Sequence, residues 1–255
     1  MYKISIQPEE IEKMPLGSFP GKIRVIDKNG IDFVRAIAYL GTQRIIGFDT
    51  ETRPVFSPGQ RHNHVALLQL SGGGRAYLFR VGTMGMNRLL CALMANPHIL
   101  KVGAAVHDDV RGLQYYRKFD AKGFIDLQKI AYEWGIRDKS VKKMAANILG
   151  VRISKSQQLS NWEAEELSAA QQMYAATDAW VCREMYLKLL QSEKHPLTPE
   201  ELNPPQPQQQ QAQPKAESAQ AGEGGEDKPK KKRRRRHRSK AKKAGEAQST
   251  QQDNG

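Results

Sequence analysis

The order of strand-like and helix-like segments constrains the fold of this chain more than any other feature of its sequence. Residues 65–68 (Val-Ala-Leu-Leu) are apolar on both faces, which indicates a strand inside a sheet covered on both sides. Residues 71–74 (Ser-Gly-Gly-Gly) predict a hairpin connection. The strand-like runs are 22–27, 44–50, 64–70, 75–81, 99–106 and 123–126, and the first helical patterns cover 31–40, 85–95 and 108–118. An antiparallel meander that continues into β-α-β units predicts an α/β fold, a mixed sheet flanked by helices.

The basic charge is concentrated in the last part of the chain. Residues 203–255 carry 13 Lys and Arg against 6 Asp and Glu, about half of the net charge of +13. This Pro/Gln-rich stretch has too few apolar residues to offset the entropy of ordering, so it is predicted to be disordered. We predict an N-terminal extension (1–21), one catalytic domain (22–195) and a tail (196–255). The run at 228–238 predicts an arm that holds phosphate backbone, with a merely solubilising tail as the alternative.

Several classes of protein are disfavoured by composition. No stretch reaches the roughly 18 consecutive apolar residues of a membrane span, and residues 1–5 lack the layout of a secretory signal. Cys91 and Cys182 stand far apart without ligand spacing, which favours two reduced, packed thiols. We therefore expect a cytoplasmic protein, or a nuclear one if the source is eukaryotic, with nucleic acid as its partner and no membrane. A protein partner is not inferable from the sequence.

Two carboxylates stand at the end of the strand predicted at 44–50, one inside it and one directly after it. Asp49 and Glu51 are two residues apart, so on a strand they point to the same face. Two acids at the end of a buried strand repel each other unless a cation lies between them. The spacing therefore predicts a metal site.

Further acids follow at element ends. Asp108 and Asp109 come directly after the strand at 99–106, where acids are often only helix caps. Asp178 shares a helical face with Tyr174, Val181 and Met185, and a carboxylate in such an apolar stripe needs a partner or a metal.

These residues together predict a chemistry. Oxygen-only ligands favour Mg²⁺ or Mn²⁺ over Zn²⁺. Two such ions suit in-line hydrolysis of a phosphodiester. The hydroxyl of Tyr174, one turn from Asp178, is suited to orient the attacking water.

The motifs resemble those of the DEDD superfamily of 3′–5′ exonucleases. Residues 48–51 (Phe-Asp-Thr-Glu) resemble the first motif, and 101–109 resemble the second, with its acid at Asp109. Residues 174–179 (Tyr-Ala-Ala-Thr-Asp-Ala) resemble the third, and 160–162 (Ser-Asn-Trp) resemble the stretch before it. Because Tyr174 stands four residues before Asp178, the resemblance is to the tyrosine subgroup, which includes ribonuclease D and the Werner syndrome helicase exonuclease domain.

The resemblance covers about residues 22–192 and carries implications. It implies a ribonuclease H-like fold with a five-stranded mixed sheet and a two-metal 3′–5′ exonuclease that releases 5′-mononucleotides from DNA or RNA. It implies that Asp49 bridges both ions, that Glu51 and Asp178 complete one site, and that Asp109 holds the second ion. The alternatives are a catalytically silent nucleic-acid binding module and another ribonuclease H-like enzyme such as an endonuclease.

Overall fold

The computed structural model describes residues 1–55 and 63–202. The strands are β1 (Lys22–Ile26), β2 (Ile45–Thr52), β3 (Val65–Ser71), β4 (Arg75–Phe79), β5 (Leu100–Gly103) and β6 (Phe124–Asp126). The α-helices are α1 (Pro8–Glu12), α2 (Ile31–Gly41), α3 (Val81–Met84), α4 (Arg88–Ala95), α5 (Val106–Tyr116), α6 (Leu127–Ile130), α7 (Val141–Leu149), α8 (Ala169–Leu190) and α9 (Pro199–Leu202), with a 3₁₀ turn at Ala131–Trp134.

The six strands form one mixed sheet in the order β1-β4-β3-β2-β5-β6. The neighbours β2, β3 and β4 are antiparallel, whereas β1 is parallel to β4 and β5 is parallel to both β2 and β6. The predicted hairpin joins β3 to β4. The predicted α/β class is therefore confirmed. The sheet has six strands where the resemblance implied five, with β1 paired to β4 at one edge and β6 paired to β5 at the other.

Helices cover both faces of the sheet. Helices α2, α4 and α5 pack on one face, where Phe48, Leu68 and Phe79 contribute to a single apolar cluster. Helix α8 lies across the other face and contacts strands β1 to β5. This central strand set is buried on both sides, since every residue of β3 is buried, as the continuous apolar run predicted.

Helix α8 begins at a well-defined cap. The Ser168 hydroxyl accepts a hydrogen bond from the Gln171 amide at 3.2 Å, and the Gln171 side chain accepts one from the Ser168 amide at 3.0 Å. This reciprocal capping box satisfies free backbone donors at the helix start. It fixes where the 22-residue helix begins, and hence which of its residues face the sheet.

The segments on either side of the predicted catalytic domain pack against it. Ile6 and Ile11 are buried beside Ala146, and the Phe19 amide donates to the Thr177 hydroxyl at 3.0 Å. Residues 196–202, predicted as the beginning of the tail, are instead structured, because Leu197 is buried and its amide donates to a backbone carbonyl at 3.0 Å. The prediction for 203–255 lies outside the described residues.

Candidate active site

The first two carboxylates lie on the face of β2 that α8 covers. Asp49 is opposite Gln69 and Glu51 is opposite Leu67 on the neighbouring strand β3. Residues that are paired in this way point to the same side of a sheet. The register shifts just after Glu51, so the regular pairing ends beside this carboxylate.

Helix α8 brings the third carboxylate to the same place. A Cβ atom at Gly47 would lie 1.7 Å from the Ala179 carbonyl oxygen, so the helix backbone lies directly against β2. This close approach places Asp178 beside the strand. Carboxylate oxygens of Asp49, Glu51 and Asp178 all lie within 4.8 Å of one another. The structure therefore brings together acids that are more than 120 residues apart in sequence.

Asp109 joins this group from helix α5. Asp109 accepts a hydrogen bond from the hydroxyl of Thr50, the residue between Asp49 and Glu51 along β2. Asp109 is half-buried, whereas Asp108 is exposed, so the geometry favours Asp109 as the acid of this element. The turn before α5 is unusual because Ala105 has a φ of 58°. Its amide donates to the Asp126 carboxylate at 3.0 Å, which holds this left-handed turn in place.

The electrostatics of the cluster oppose full ionisation. Burial raises the pKa of Asp49 well above its usual range, and the neighbouring charges of Asp178, Asp109 and Glu51 raise it further. Burial, followed by the charges of Asp178 and Asp109, raises the pKa of Glu51 to about 9. Burial raises the pKa of Asp178 to about 7 and that of Asp109 to about 6. These raised pKa values show that the buried carboxylates lack enough nearby positive charge to stay fully ionised.

The cluster suits a divalent cation. Within the described ranges, none of these four carboxylates forms an ion pair with Lys, Arg or His. The donor atoms are all carboxylate oxygens, which are the ligands of hard ions such as Mg²⁺ and Mn²⁺. A bound cation would offset both the burial of these charges, which is the main cause of the raised pKa values, and the repulsion around Asp49 and Glu51.

A cavity of about 290 Å³ opens onto this cluster. Its polar lining beyond the acids includes Lys155, Gln158 and Ser154, which precede α8 in sequence. The positive charge of Lys155 lies close enough to Asp178 to oppose the rise of that pKa. Cys182 also borders the cavity, one turn beyond Asp178, and burial raises the pKa of its thiol. Both Cys182 and Cys91 are buried free thiols, as predicted.

Tyr174 is held by an aromatic neighbour. It is buried, lines the cavity, and its ring centroid lies 5.9 Å from that of Trp162. Trp162 is only 1 % exposed, so it packs behind Tyr174 and its ring is not available to stack on a base. Burial, followed by the charge of Asp178, raises the pKa of Tyr174 above its usual value, so the hydroxyl stays protonated.

Neighbouring basic and imidazole side chains lie outside the cluster. Arg53 forms an exposed ion pair with Glu163 at 3.2 Å. His64 stacks on Tyr115 with centroids 3.6 Å apart, and His107 is exposed.

Four residues near the site were missed by sequence reasoning. Thr50 and Asp126 support Asp109 and its turn, as described above. Gln69 is fully buried opposite Asp49, and no described residue offers its side-chain amide a hydrogen bond. Cys182 was recognised only as a packed thiol. A polar residue inside the apolar run 65–70 was the one available signal for Gln69.

Fold and site together define a class. The mixed sheet carries an acid cluster at the end of a central strand, completed by one acid from each of two helices, and these carboxylates could hold a divalent metal. A family model described as 3′–5′ exonuclease matches residues 28–192. The chain therefore belongs to the 3′–5′ exonuclease family, which confirms the predicted DEDD-type exonuclease.

Individual relatives agree with this assignment. The bifunctional 3′–5′ exonuclease/ATP-dependent helicase WRN of Mus musculus is 32% identical over 158 residues, which cover 57% of this chain and 11% of that protein. Ribonuclease D of Haemophilus influenzae is 34% identical over 98 residues, 37% of this chain and 24% of the relative. The chain thus spans a quarter or less of the length of these two relatives.

Solved structures share the fold. Ribonuclease D of Escherichia coli matches with a TM-score of 0.59 and 23% identity, over 66% of this chain and 44% of that one. The EXO domain of Nibbler from Aedes aegypti matches with a TM-score of 0.57 and 22% identity, over 69% of this chain and 91% of that one.

Proposed function

We propose that this chain hydrolyses the terminal phosphodiester at the 3′ end of DNA or RNA and releases 5′-mononucleotides. The observation that carries the proposal is the convergence of Asp49, Glu51 and Asp178, whose oxygens lie within 4.8 Å of one another in an open cavity. Membership of the 3′–5′ exonuclease family supports the direction of the reaction. The solved Trypanosoma brucei ribonuclease D in complex with RNA U12 supports a nucleic-acid substrate.

Asp49, Glu51 and Asp178 would hold one divalent ion, and Asp109 together with Asp49 would hold a second. When bound, Mg²⁺ or Mn²⁺ supplies the Lewis-acid chemistry that activates water and stabilises the leaving oxygen. Asp109 is kept in place by the Thr50 hydroxyl, and Asp178 by its position on a helix that lies against β2.

We propose that Tyr174 orients the attacking water, the role implied by its resemblance to the tyrosine subgroup. Its hydroxyl lies beside Asp178 and remains protonated, since its pKa is raised. A protonated phenol donates a hydrogen bond but does not take up the proton of the water. In this proposal Tyr174 positions the nucleophile, and its ring packs against that of Trp162.

The proposal is tested by digesting 5′-labelled single-stranded DNA and RNA with Mg²⁺ or Mn²⁺. We expect a ladder of shortened products from at least one substrate, and a loss of at least about 10²-fold in rate for Asp49→Asn. Asp108→Asn is the matched control, because Asp108 is exposed beside Asp109. No ladder from either substrate would refute the enzyme and favour a silent binding module. Cleavage of a circular strand would favour an endonuclease.

The basic run at 228–238 is proposed to bind phosphate backbone, an interaction that rests on its charge in the sequence alone. Truncation after residue 202 should weaken substrate binding and flatten its dependence on salt, with the rate at saturating substrate little changed. An unchanged salt slope would refute the arm.

A further inference from the structure

A second cavity, on the opposite face of the sheet, collects basic side chains. Its volume is about 230 Å³, and its lining includes Lys22, Arg24, Arg35, Arg75 and Tyr77. We call these five residues the basic pocket. Ile26 and the acid Asp32 complete its lining.

Strand register explains why the cations converge. Lys22 is directly opposite Arg75, and Arg24 is directly opposite Tyr77, on the parallel strands β1 and β4. Directly opposed side chains share a face, and like charges in that position destabilise a sheet. Lys22, Arg24 and Arg75 are exposed, so water screens part of this repulsion, and a bound anion would relieve the rest.

The protein supplies little negative charge here. Within the described ranges no carboxylate lies within 4 Å of the amino or guanidinium nitrogens of Lys22, Arg24 or Arg75. Asp32 pairs with Arg35 at 3.4 Å, but both side chains are more than 70 % exposed, so this contact is weak. Arg75 is oriented by the ring of Tyr39, which lies 5.0 Å from its guanidinium carbon.

The floor of the pocket provides a second, independent observation. Most of Tyr77 is buried, with 4 % of the residue exposed, and it lines the pocket. A tyrosine combines an apolar ring with a polar hydroxyl that can donate a hydrogen bond. A ligand that accepts a hydrogen bond from the Tyr77 hydroxyl would at the same time neutralise the cations around it. Arginine forks and a lysine point charge are suited to phosphate oxygens.

The basic pocket is separate from the acid cluster. The order β1-β4-β3-β2 puts β1 three strand spacings, about 14 Å, from the strand that carries Asp49. Tyr77 belongs to the apolar cluster of the α2 face, whereas the acids lie on the face covered by α8. A phosphate in this pocket is therefore not the one that is cleaved.

We propose that the basic pocket binds a phosphate group of a nucleic-acid strand at a position remote from the cleaved end. The choice of nucleic acid over another phosphate carrier rests on the proposed function, whereas the suitability for a phosphate-like anion rests on the basic side chains of the pocket. The pocket favours long substrates over short ones, because only a long strand reaches from the acid cluster around the sheet.

The first experiment measures binding of a labelled oligonucleotide of about 30 nucleotides and of a tetranucleotide by anisotropy, with the full chain in EDTA so that hydrolysis does not contribute. In the variant K22Q/R24Q/R75Q we expect the long strand to bind at least about tenfold more weakly, with a log–log salt slope reduced by about 2. Binding of the tetranucleotide should be unchanged. The matched control K13Q/K118Q/K129Q removes the same charge from exposed lysines elsewhere. It should show a smaller effect.

Tyr77→Phe tests the pocket without changing charge. Loss of one hydrogen bond should weaken binding of the long strand about three- to tenfold, with the melting temperature within a few degrees of wild type. The proposal would be overturned if neither variant bound the long strand more weakly than the lysine control does. So would equal weakening for the long and short strands, because the pocket would then not be remote.

Two further arms identify the source of the phosphate. The nucleic-acid assignment would be overturned if the variants bound the long strand like wild type but no longer bound inorganic phosphate, or vesicles containing phosphatidylserine. They would indicate a site for a small phosphate or a lipid headgroup. Hydrolysis of the tetranucleotide in Mn²⁺ should proceed at the wild-type rate in K22Q/R24Q/R75Q. A wild-type chain without any hydrolysis would refute the proposed function and leave the binding result interpretable.

Discussion

Among the single residues of the site, Tyr174 best allows the chemical step to be tested separately from metal and substrate binding. Its hydroxyl lies beside Asp178 but is not itself an anionic ligand, so its removal should leave metal and substrate binding almost intact. We expect Tyr174→Phe to lower kcat about 10- to 100-fold with little change in KM, since the loss is one of water orientation.

Steady-state kinetics against metal concentration check this expectation. Tyr132→Phe is the control, because Tyr132 is substantially exposed on the 3₁₀ turn away from the acid cluster. An unchanged kcat in Tyr174→Phe would remove Tyr174 from the mechanism, and a shifted metal dependence would make it part of the metal site instead.

Gln69 allows a test of stability at a single residue. Its amide is fully buried without a partner among the described residues, so replacing it by an apolar side chain of similar shape removes an unsatisfied polar group. We expect Gln69→Met to raise the free energy of unfolding by about 1 kcal/mol in urea titrations. The same change at Gln171, whose side-chain amide donates to the Ser160 hydroxyl and accepts from the Ser168 backbone amide, should lower it by about 1–3 kcal/mol. A lower stability for Gln69→Met would show that the amide has a partner.

At the scale of secondary-structure elements, the contact of α8 with β2 decides whether the site exists. Both elements can form locally, but their distance is set by the missing side chain at Gly47. A methyl group there would overlap the Ala179 backbone and force the helix away from the strand, which would separate Asp178 from Asp49.

Gly47→Ala is therefore expected to lower the free energy of unfolding by at least about 3 kcal/mol and to weaken metal binding. Urea titration and calorimetry with Mn²⁺ measure the two effects. Gly41→Ala is the matched control, since a Cβ there meets no atom within 4 Å and alanine favours the helix. A stable Gly47→Ala protein with unchanged metal affinity would contradict this account of the docking.

For the whole molecule, the acid cluster links stability to pH. Unfolded carboxyl groups titrate near 4, whereas Asp109, Asp178 and Glu51 have pKa values raised to about 6, 7 and 9. The folded metal-free protein therefore retains protons that the unfolded chain has released. Their stabilising contribution is complete below pH 4 and is lost as the pH rises through these folded values.

We expect the metal-free protein to lose stability between pH 5 and 9, by about 1.4 kcal/mol per pH unit for each proton retained. Urea titrations in EDTA and in saturating Mn²⁺ measure the slope, which the metal should flatten by neutralising the acids. Asp178→Asn should reduce the slope in EDTA, because one of the repelling carboxylates is gone. A metal-free stability that is constant over this range would argue against the crowding of the acids.

The sequence by itself determined the strand and helix order, the spacing of Asp49 and Glu51, and the motifs that carry Asp109, Tyr174 and Asp178. These are local or motif-level properties, because alternation along a strand and one turn of a helix depend only on neighbouring residues. The family comparison agrees with them.

Only the tertiary structure decided how these pieces meet. The position of Asp109 at the site depends on its contact with Thr50, and the approach of α8 depends on the space at Gly47. Strand register and helix docking also decide three further features. These are the lack of a hydrogen-bond partner for the Gln69 amide among the described residues, the ordered structure of residues 196–202, and the basic pocket. Sequence patterns report which face a residue occupies within its own element, whereas distances between elements are set by packing among residues far apart in the chain.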